Sequence, residues 1–143
     1  MATPLYRTRF CFGCGTDNPG GLGLAPVNDG GRILARFTPR DEHRGYARAV
    51  HGGITCTLLD EVVGLACSQR VDAKCVTVEV CVQLKRPVLV GAELTVEGRY
   101  VRRQGRYLVG AGRILDGGGR VLATARVKAV QLTDEQLAKF VEK

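Results

Sequence analysis

The chain has 143 residues, of which 45% are apolar, and it carries a formal net charge of +7. This length and composition predict one globular domain over residues 1–143. The sequence has no run of about 18 apolar residues, which argues against a membrane-spanning helix, and its first ten residues contain no apolar signal core. We therefore expect a soluble cytoplasmic protein whose six cysteines are reduced thiols.

The basic residues are spread along the whole chain. The sequence has no basic tail, no zinc-finger spacing and no helix-turn-helix pattern, so we expect no nucleic-acid partner. A basic surface also suits a phosphorylated small ligand. A solvated surface without a ligand explains most of these residues equally well.

Chain order predicts one strand and then one long helix. Residues 1–31 are rich in Gly, Pro and Asn and predict an irregular lead-in, and residues 32–38 form the first predicted strand. A polar loop leads to a pair of glycines, and the apolar run after them predicts a helix over about residues 53–70. Because this helix is apolar on nearly all sides, we expect it to be buried.

Four strand-like runs follow the helix, at residues 75–85, 93–103, 106–115 and 120–132. The first run alternates between valine and polar residues, which predicts a half-buried strand with the valines inside and Thr77 on the opposite face. A short C-terminal helix is predicted to begin at Thr133, with a capping box to Gln136.

This order of elements predicts an α+β hotdog fold. In such a fold a curled antiparallel sheet, here of about five to six strands, wraps around one long buried helix. One helix cannot cover a flat five-stranded sheet completely. A sheet that curls around the helix explains why the helix has no polar face.

Asp60 and Glu61 are the only charged residues between positions 54 and 68. Because an unpaired buried carboxylate is costly, both could point outward at the helix edge or pair with arginines. Alternatively, at least one of them enters a site, where a carboxylate in a semi-apolar pocket serves as a general base or nucleophile.

Gly52 and Gly53 lie at the expected start of the helix. Backbone N–H groups there have no intrahelical partners, and the helix dipole adds positive potential, which suits a carbonyl oxygen that gains negative charge. A simple turn into the helix explains the glycines as well.

Gly52 and Asp60 are separated by about 12 Å along a helix. One carbonyl can therefore touch both only if they come from two subunits related by a two-fold axis.

The segment VHGGITCTLLDEVVGLAC, residues 50–67, resembles the central helix of hotdog-fold acyl-CoA thioesterases of the PaaI (phenylacetate-pathway) type. In that family, HGG opens the helix and an acidic residue lies nine positions after the His. The segments CFGCGTDNPGGLGL and VTVEVCVQLKRPVLVG resemble the lead-in of one bacterial subgroup and the strand after the helix. The resemblance covers residues 11 to about 131 and implies hydrolysis of an acyl-CoA thioester to a free acid and CoA.

The resemblance also implies roles for single residues. The Gly52 N–H would polarise the thioester carbonyl, and Asp60 of the other subunit would act as nucleophile or general base. His51 would position the loop or the carbonyl, with Gly53 beside it in the substrate site. Thr77 matches a Ser or Thr that orients water or the acid, although a solvent-facing Thr fits equally well. Glu61 could share or take over the role of Asp60.

Three arginines are weaker candidates for substrate binding, and one glycine departs from the family pattern. Arg86, Arg102 and Arg103 could bind the phosphates of CoA because Arg suits phosphate geometry, although exposed strand-end charges explain them as well. Some family members have an Asn six positions before the His, where this chain has Gly45. His43 lies in a charged loop and is expected to be solvated.

The expected partners are an acyl-CoA substrate and a second copy of the chain, as a dimer or tetramer. No cofactor is expected beyond the CoA of the substrate, and no metal. Cys11 and Cys14 have CxxC spacing, but no second Cys/His pair stands at a zinc-ligand interval, which favours a structural role over metal or redox chemistry. A hotdog hydratase or dehydratase and a non-catalytic acyl-CoA-binding protein stay open as alternatives.

Overall fold

A computed structural model describes residues 2–141 of the chain. Its helices and strands, in chain order, are β1 (Thr3–Pro4), β2 (Val27–Asp29), β3 (Arg32–Phe37), α1 (Gly52–Val71), β4 (Cys75–Leu84), β5 (Leu94–Gln104), β6 (Tyr107–Leu115), β7 (Val121–Gln131) and α2 (Asp134–Phe140). A single 3-10 turn, Asp41–His43, lies in the loop before α1.

All neighbouring strands pair antiparallel in one sheet of order β1-β2-β3-β5-β6-β7-β4. The long helix α1 packs against this sheet, which confirms the predicted hotdog fold. The strand that directly follows α1 in the chain, β4, lies at the far edge beside β7. Its other edge has no strand partner among residues 2–141.

The predicted positions of the main elements are confirmed to within one residue at each end. Thr133 caps α2 and forms the predicted capping box with Gln136. The predicted strand count is wrong, because β1 and β2 lie in the lead-in that we expected to be irregular and bring the sheet to seven strands. These strands have only two and three residues, which is too short to show a period of two.

One face of α1 fills the core. Its buried residues recur every three or four positions and therefore line one side of the helix: Thr55, Leu58, Leu59, Val62, Val63, Ala66 and Cys67. The flanks that carry Asp60 and Glu61 are half-buried in a single chain. Within residues 2–141, no helix combines the length and the apolar character that a bilayer span needs.

The predicted burial of the valine face of β4 is wrong. Val76, Val78 and Val80 are 44%, 51% and 40% exposed. The register against β7 shifts between Thr77 and Glu79, so Val78 is an extra residue in a β-bulge. Strict alternation places Thr77 and Val80 on opposite faces, but the bulge turns both toward α1.

The glycine at position 98 of β5 allows sheet and helix to approach closely. A Cβ atom at this position would stand 2.6 Å from the carbonyl carbon and oxygen of Val62 in α1. Because these are backbone atoms, no side-chain rotation can relieve the clash.

We expect Gly98→Ala to lower the free energy of unfolding by about 1–3 kcal/mol, the usual range for overpacking a core. Gly117→Ala is the matched control, because a Cβ at Gly117 would meet no atom within 4 Å. Urea unfolding of both variants checks this. Equal midpoints for the two variants would contradict the close approach of α1 and β5.

Candidate functional site

His51 caps the start of α1. Its Nδ1 atom accepts a hydrogen bond of 2.9 Å from the Gly53 N–H. A neutral imidazole that accepts at Nδ1 carries its proton on Nε2, so the outer edge of the ring is a donor. The Gly53 N–H is therefore engaged within the cap, whereas the Gly52 N–H has no hydrogen-bond acceptor within residues 2–141.

Gly52 lines a cleft of about 260 Å³. The cleft is also lined by Thr55 of α1, Leu84 at the end of β4, and Lys85 and Arg86 just after it. The helix dipole and the two basic residues give this cleft a positive potential. Of the three candidate arginines, Arg86 is thus the one that shares a cleft with Gly52.

Gly45 lies directly beside the cap. A Cβ atom at this position would stand 3.3 Å from the Cα atom of His51. A side chain at position 45 would therefore begin next to His51. Glycine leaves this space open.

His43 is buried, with 5% of its surface exposed, so the expectation of a solvated side chain is wrong. Its Nδ1 atom accepts a hydrogen bond of 3.0 Å from the Arg40 N–H, and its ring centroid lies 5.4 Å from that of Phe37. The His43 carbonyl also accepts from the His51 N–H at 2.9 Å. The neighbours of His43 in the sequence are charged, which led us to expect an exposed loop. The 3-10 turn directs the imidazole of His43 inward while its neighbours stay exposed.

Asp60 and Thr77 meet on the flank of α1 that faces β4. The Thr77 hydroxyl donates a hydrogen bond of 2.7 Å to Asp60 Oδ1. Both side chains are half-buried, and Asp60 lines a cleft of about 370 Å³ together with Val80 and Val82 of β4. Asp60 forms no salt bridge within the described part of the chain. The carboxylate therefore has one hydrogen-bonded oxygen and an open side.

In a single chain, Gly52 and Asp60 open into separate clefts. Strand β4 runs past both of them. A Cβ on Gly52 would lie 3.1 Å from Leu84 Cδ1 at one end of the strand, and Thr77 contacts Asp60 near the other end. The edge of β4 is therefore the place where a second chain would have to contribute.

Glu61 lies on the other flank of α1, against the lead-in. Its two carboxylate oxygens are 3.6 and 3.7 Å from Cys11 Sγ. Burial, and the nearby Glu61 carboxylate, raise the pKa of the Cys14 thiol well above its ordinary value. Adjacent helical residues point about 100° apart, which explains why Asp60 and Glu61 have different surroundings.

Arg102 and Arg103 lie on β5 near its hairpin with β6. Arg103 is close enough to Cys75, at the start of β4, to oppose the burial that raises the pKa of that thiol. Cys75 follows the C-terminal end of α1, whereas Arg86 lies near its N-terminal end. One chain therefore does not bring these arginines together.

The sequence profile of the thioesterase superfamily matches residues 48–123, more than half of the chain. Among solved structures, the chain is similar to a thioesterase superfamily protein, with 25% identity and a TM-score of 0.80 over 87% of this chain and 61% of that one. This chain thus spans about three fifths of the length of that protein. No curated protein sequence matches it significantly.

Two more solved structures share the fold. The PaaI protein from the phenylacetic acid degradation operon of E. coli is 20% identical, with a TM-score of 0.71 over 78% of this chain and 81% of that one. A Streptococcus mutans protein bound to acetyl CoA is 21% identical, with a TM-score of 0.70 over 76% of this chain and 88% of that one.

The burial of His43 predicts a pH dependence of stability. Burial is the main cause that lowers the pKa of His43 below its ordinary value, so the unfolded chain takes up this proton more readily than the folded one. The stability that neutral His43 contributes is thus present above the unfolded pKa and is lost as pH falls through the folded pKa.

We therefore expect the Tm to fall between pH 7.5 and pH 5, and to fall less steeply in His43→Asn, whose side-chain oxygen can still accept from the Arg40 N–H. Thermal melts at several pH values measure both slopes. Identical slopes for the two proteins would rule out a contribution of His43.

Proposed function

Because the chain belongs to the thioesterase superfamily, we propose that it hydrolyses an acyl-CoA thioester at two equivalent sites, each built from two chains of a homodimer. The observation that carries this proposal is the hydrogen bond from Thr77 to Asp60 beside the unpaired edge of β4. The acetyl CoA bound to the similar Streptococcus mutans protein supports the substrate class. Lys85 and Arg86 beside Gly52 suit the phosphates of CoA.

The chemistry needs an oxyanion donor and an acid–base or nucleophilic group. The Gly52 N–H, which has no acceptor in the described part of the chain, lies at the positive end of α1 and would bind the carbonyl oxygen as it gains negative charge. With one oxygen of Asp60 held by Thr77, the other is free to take a proton from water or to attack the carbonyl carbon. If Asp60 acts as the base, the hydroxide formed from water adds to the carbonyl carbon, the C–S bond breaks, and the CoA thiolate leaves and is protonated. If Asp60 attacks directly, the thiolate leaves from a mixed anhydride on Asp60, and water then hydrolyses this anhydride to the free acid and restores the carboxylate.

The exposed edge of β4 supports self-association. A ten-residue edge strand with exposed valines is a template for pairing with another strand. A second β4, related by a two-fold axis, would pair antiparallel and extend the sheet across the dimer. The same contact would cover the half-buried flank of α1 that carries Asp60.

The bulge suggests the register of this pairing. Opposite residues in an antiparallel pair share a face of the sheet. If Cys81 lies on the two-fold axis, Val80 opposes the partner's Val82, and the extra residue of the bulge brings Thr77 opposite the partner's Leu84. Thr77 contacts Asp60, and Leu84 adjoins Gly52 in each chain. This register would therefore bring Asp60 close to the partner's Gly52.

We expect Asp60→Asn to lower kcat for an acyl-CoA by about 10²-fold or more, because the amide can still accept from Thr77 but cannot act as a base or nucleophile. A spectrophotometric assay of released CoA, over short, long and aromatic acyl-CoAs, measures this loss. Glu61→Gln is the comparison variant. Full activity in Asp60→Asn with loss in Glu61→Gln would transfer the role to Glu61.

A mixing experiment tests the shared sites. Gly52→Pro removes the N–H at a helix position that tolerates proline, whereas Gly52→Ala retains the N–H and serves as its control. When inactive Asp60→Asn and Gly52→Pro chains are mixed and allowed to exchange, each heterodimer has one intact site. Random exchange of equal amounts makes half of the dimers heterodimers, and each heterodimer has one of its two sites intact. The mixture should therefore regain about a quarter of the wild-type activity per chain. No recovery after demonstrated exchange would disprove the shared site.

Cys81 provides a check of the register with a native residue. It is exposed in the single chain, and the proposed two-fold axis places it opposite the partner's Cys81. Mild oxidation should then link two chains by a disulfide, and Cys81→Ser should prevent this. A dimer that fails to cross-link through Cys81 would require a different register.

A further inference from the structure

The lead-in folds into a fixed loop around the CxxC segment. The Cys11 carbonyl accepts from the Gly15 N–H at 2.8 Å, and the Cys14 carbonyl accepts from Arg7 Nε at 2.8 Å. Two more backbone hydrogen bonds join residues 12 and 13 to Leu22 and Leu24. The backbone that carries the two cysteines is therefore fixed by hydrogen bonds.

Glu61 of α1 reaches into this loop. Its carboxylate and the sulfur atoms of Cys11 and Cys14 lie within 4.8 Å of one another. A Cβ atom on Gly13 would stand 2.5 Å from Glu61 Oε2, so a side chain at this position would displace the carboxylate from the place where it lies. The loop and the helix thus bring together three groups that are separated by up to fifty residues in the chain.

The neighbours of the Glu61 carboxylate in this cluster are thiols. Glu61 forms no salt bridge within residues 2–141, although it lies beside a buried cysteine. Two sulfur atoms and a carboxylate without a cationic partner form a donor set that suits a divalent metal ion. A divalent cation would supply that partner for the carboxylate and for two thiolates.

We propose that Cys11, Cys14 and Glu61 bind one Zn²⁺ ion that ties the lead-in to α1. Zinc binds thiolates at about 2.3 Å and carboxylate oxygens at about 2.0–2.2 Å in tetrahedral geometry. These values place a sulfur and an oxygen of one zinc site about 3.6 Å apart. The Cys11 Sγ atom lies 3.6 and 3.7 Å from the two Glu61 oxygens. Two sulfur ligands favour zinc over magnesium or calcium.

The fourth zinc position would be open. Cys11, Cys14 and Glu61 all line the wall of a cavity of about 700 Å³, which also contacts the apolar side chains of Leu5 and Leu65. Water, or a ligand entering the cavity, would complete the coordination. On binding, the two thiols release their protons to solvent and the ion loses water, so no oxidant or reductant is needed.

Cobalt titration of the full-length protein tests the site. The reduced, metal-free protein is titrated with Co²⁺ and then with Zn²⁺, and absorption from thiolate-to-cobalt charge transfer is recorded. We expect saturation at one Co²⁺ per chain, loss of the absorption when Zn²⁺ displaces it, and one zinc per chain by elemental analysis. A folded, reduced wild-type protein that binds neither ion stoichiometrically overturns the proposal.

Variants then assign the ligands. Cys11→Ser and Cys14→Ser should each weaken the charge-transfer band and lower the affinity, because each leaves one thiolate ligand, and Glu61→Gln should retain the band with lower affinity. Cys81→Ser, which removes an exposed thiol outside the cluster, should match the wild type. Stoichiometric binding that all three ligand variants leave unchanged would place the metal elsewhere and disprove the site.

Circular dichroism checks the folding of each variant. If buried Cys14→Ser does not fold, the half-exposed Cys11 and Glu61 positions still decide the outcome. The readouts are metal content and absorption, so the result does not depend on whether the protein hydrolyses acyl-CoA.

Discussion

The packing of α1 against β5 sets the positions of Asp60 and Glu61. The backbones approach so closely that a single methyl group at Gly98 would collide with Val62. Because this contact fixes the rotation of the helix about its axis, Asp60 faces β4 and Glu61 faces the lead-in. The two adjacent carboxylates therefore have different neighbours, Thr77 for Asp60 and Cys11 for Glu61.

The edge strand β4 connects the start of α1 with its middle. Leu84 adjoins Gly52 and Thr77 binds Asp60, so the two ends of one strand mark the two halves of the proposed site. The bulge at Val78 makes this possible, because it turns Thr77 and Val80 toward the same face. A regular strand would direct the Thr77 hydroxyl away from the helix.

The loop before α1 and the lead-in support the helix from outside the core. Buried His43 binds the backbone of its own turn, and its carbonyl holds the N–H of the cap residue His51. On the other flank, the CxxC loop contacts Glu61. Both segments looked irregular or solvated in the sequence, because their order comes from backbone hydrogen bonds, which leave no apolar period.

The sequence by itself determined the α+β fold, the limits of α1 and of β4 to β7, and the helix-start motif at His51. Hydrophobic periodicity and capping are local properties, so they can be recognised in short windows of residues. It also indicated that Gly52 and Asp60 are too far apart to serve one substrate within one chain.

Only the tertiary structure decided which surroundings each side chain meets. The partnership of Asp60 with Thr77, the burial of His43 and the approach of Glu61 to Cys11 join residues through turns, a bulge and long-range packing. The roles of the α1 side chains differ because the sheet accepts one face of the helix and directs the remaining polar groups to opposite flanks.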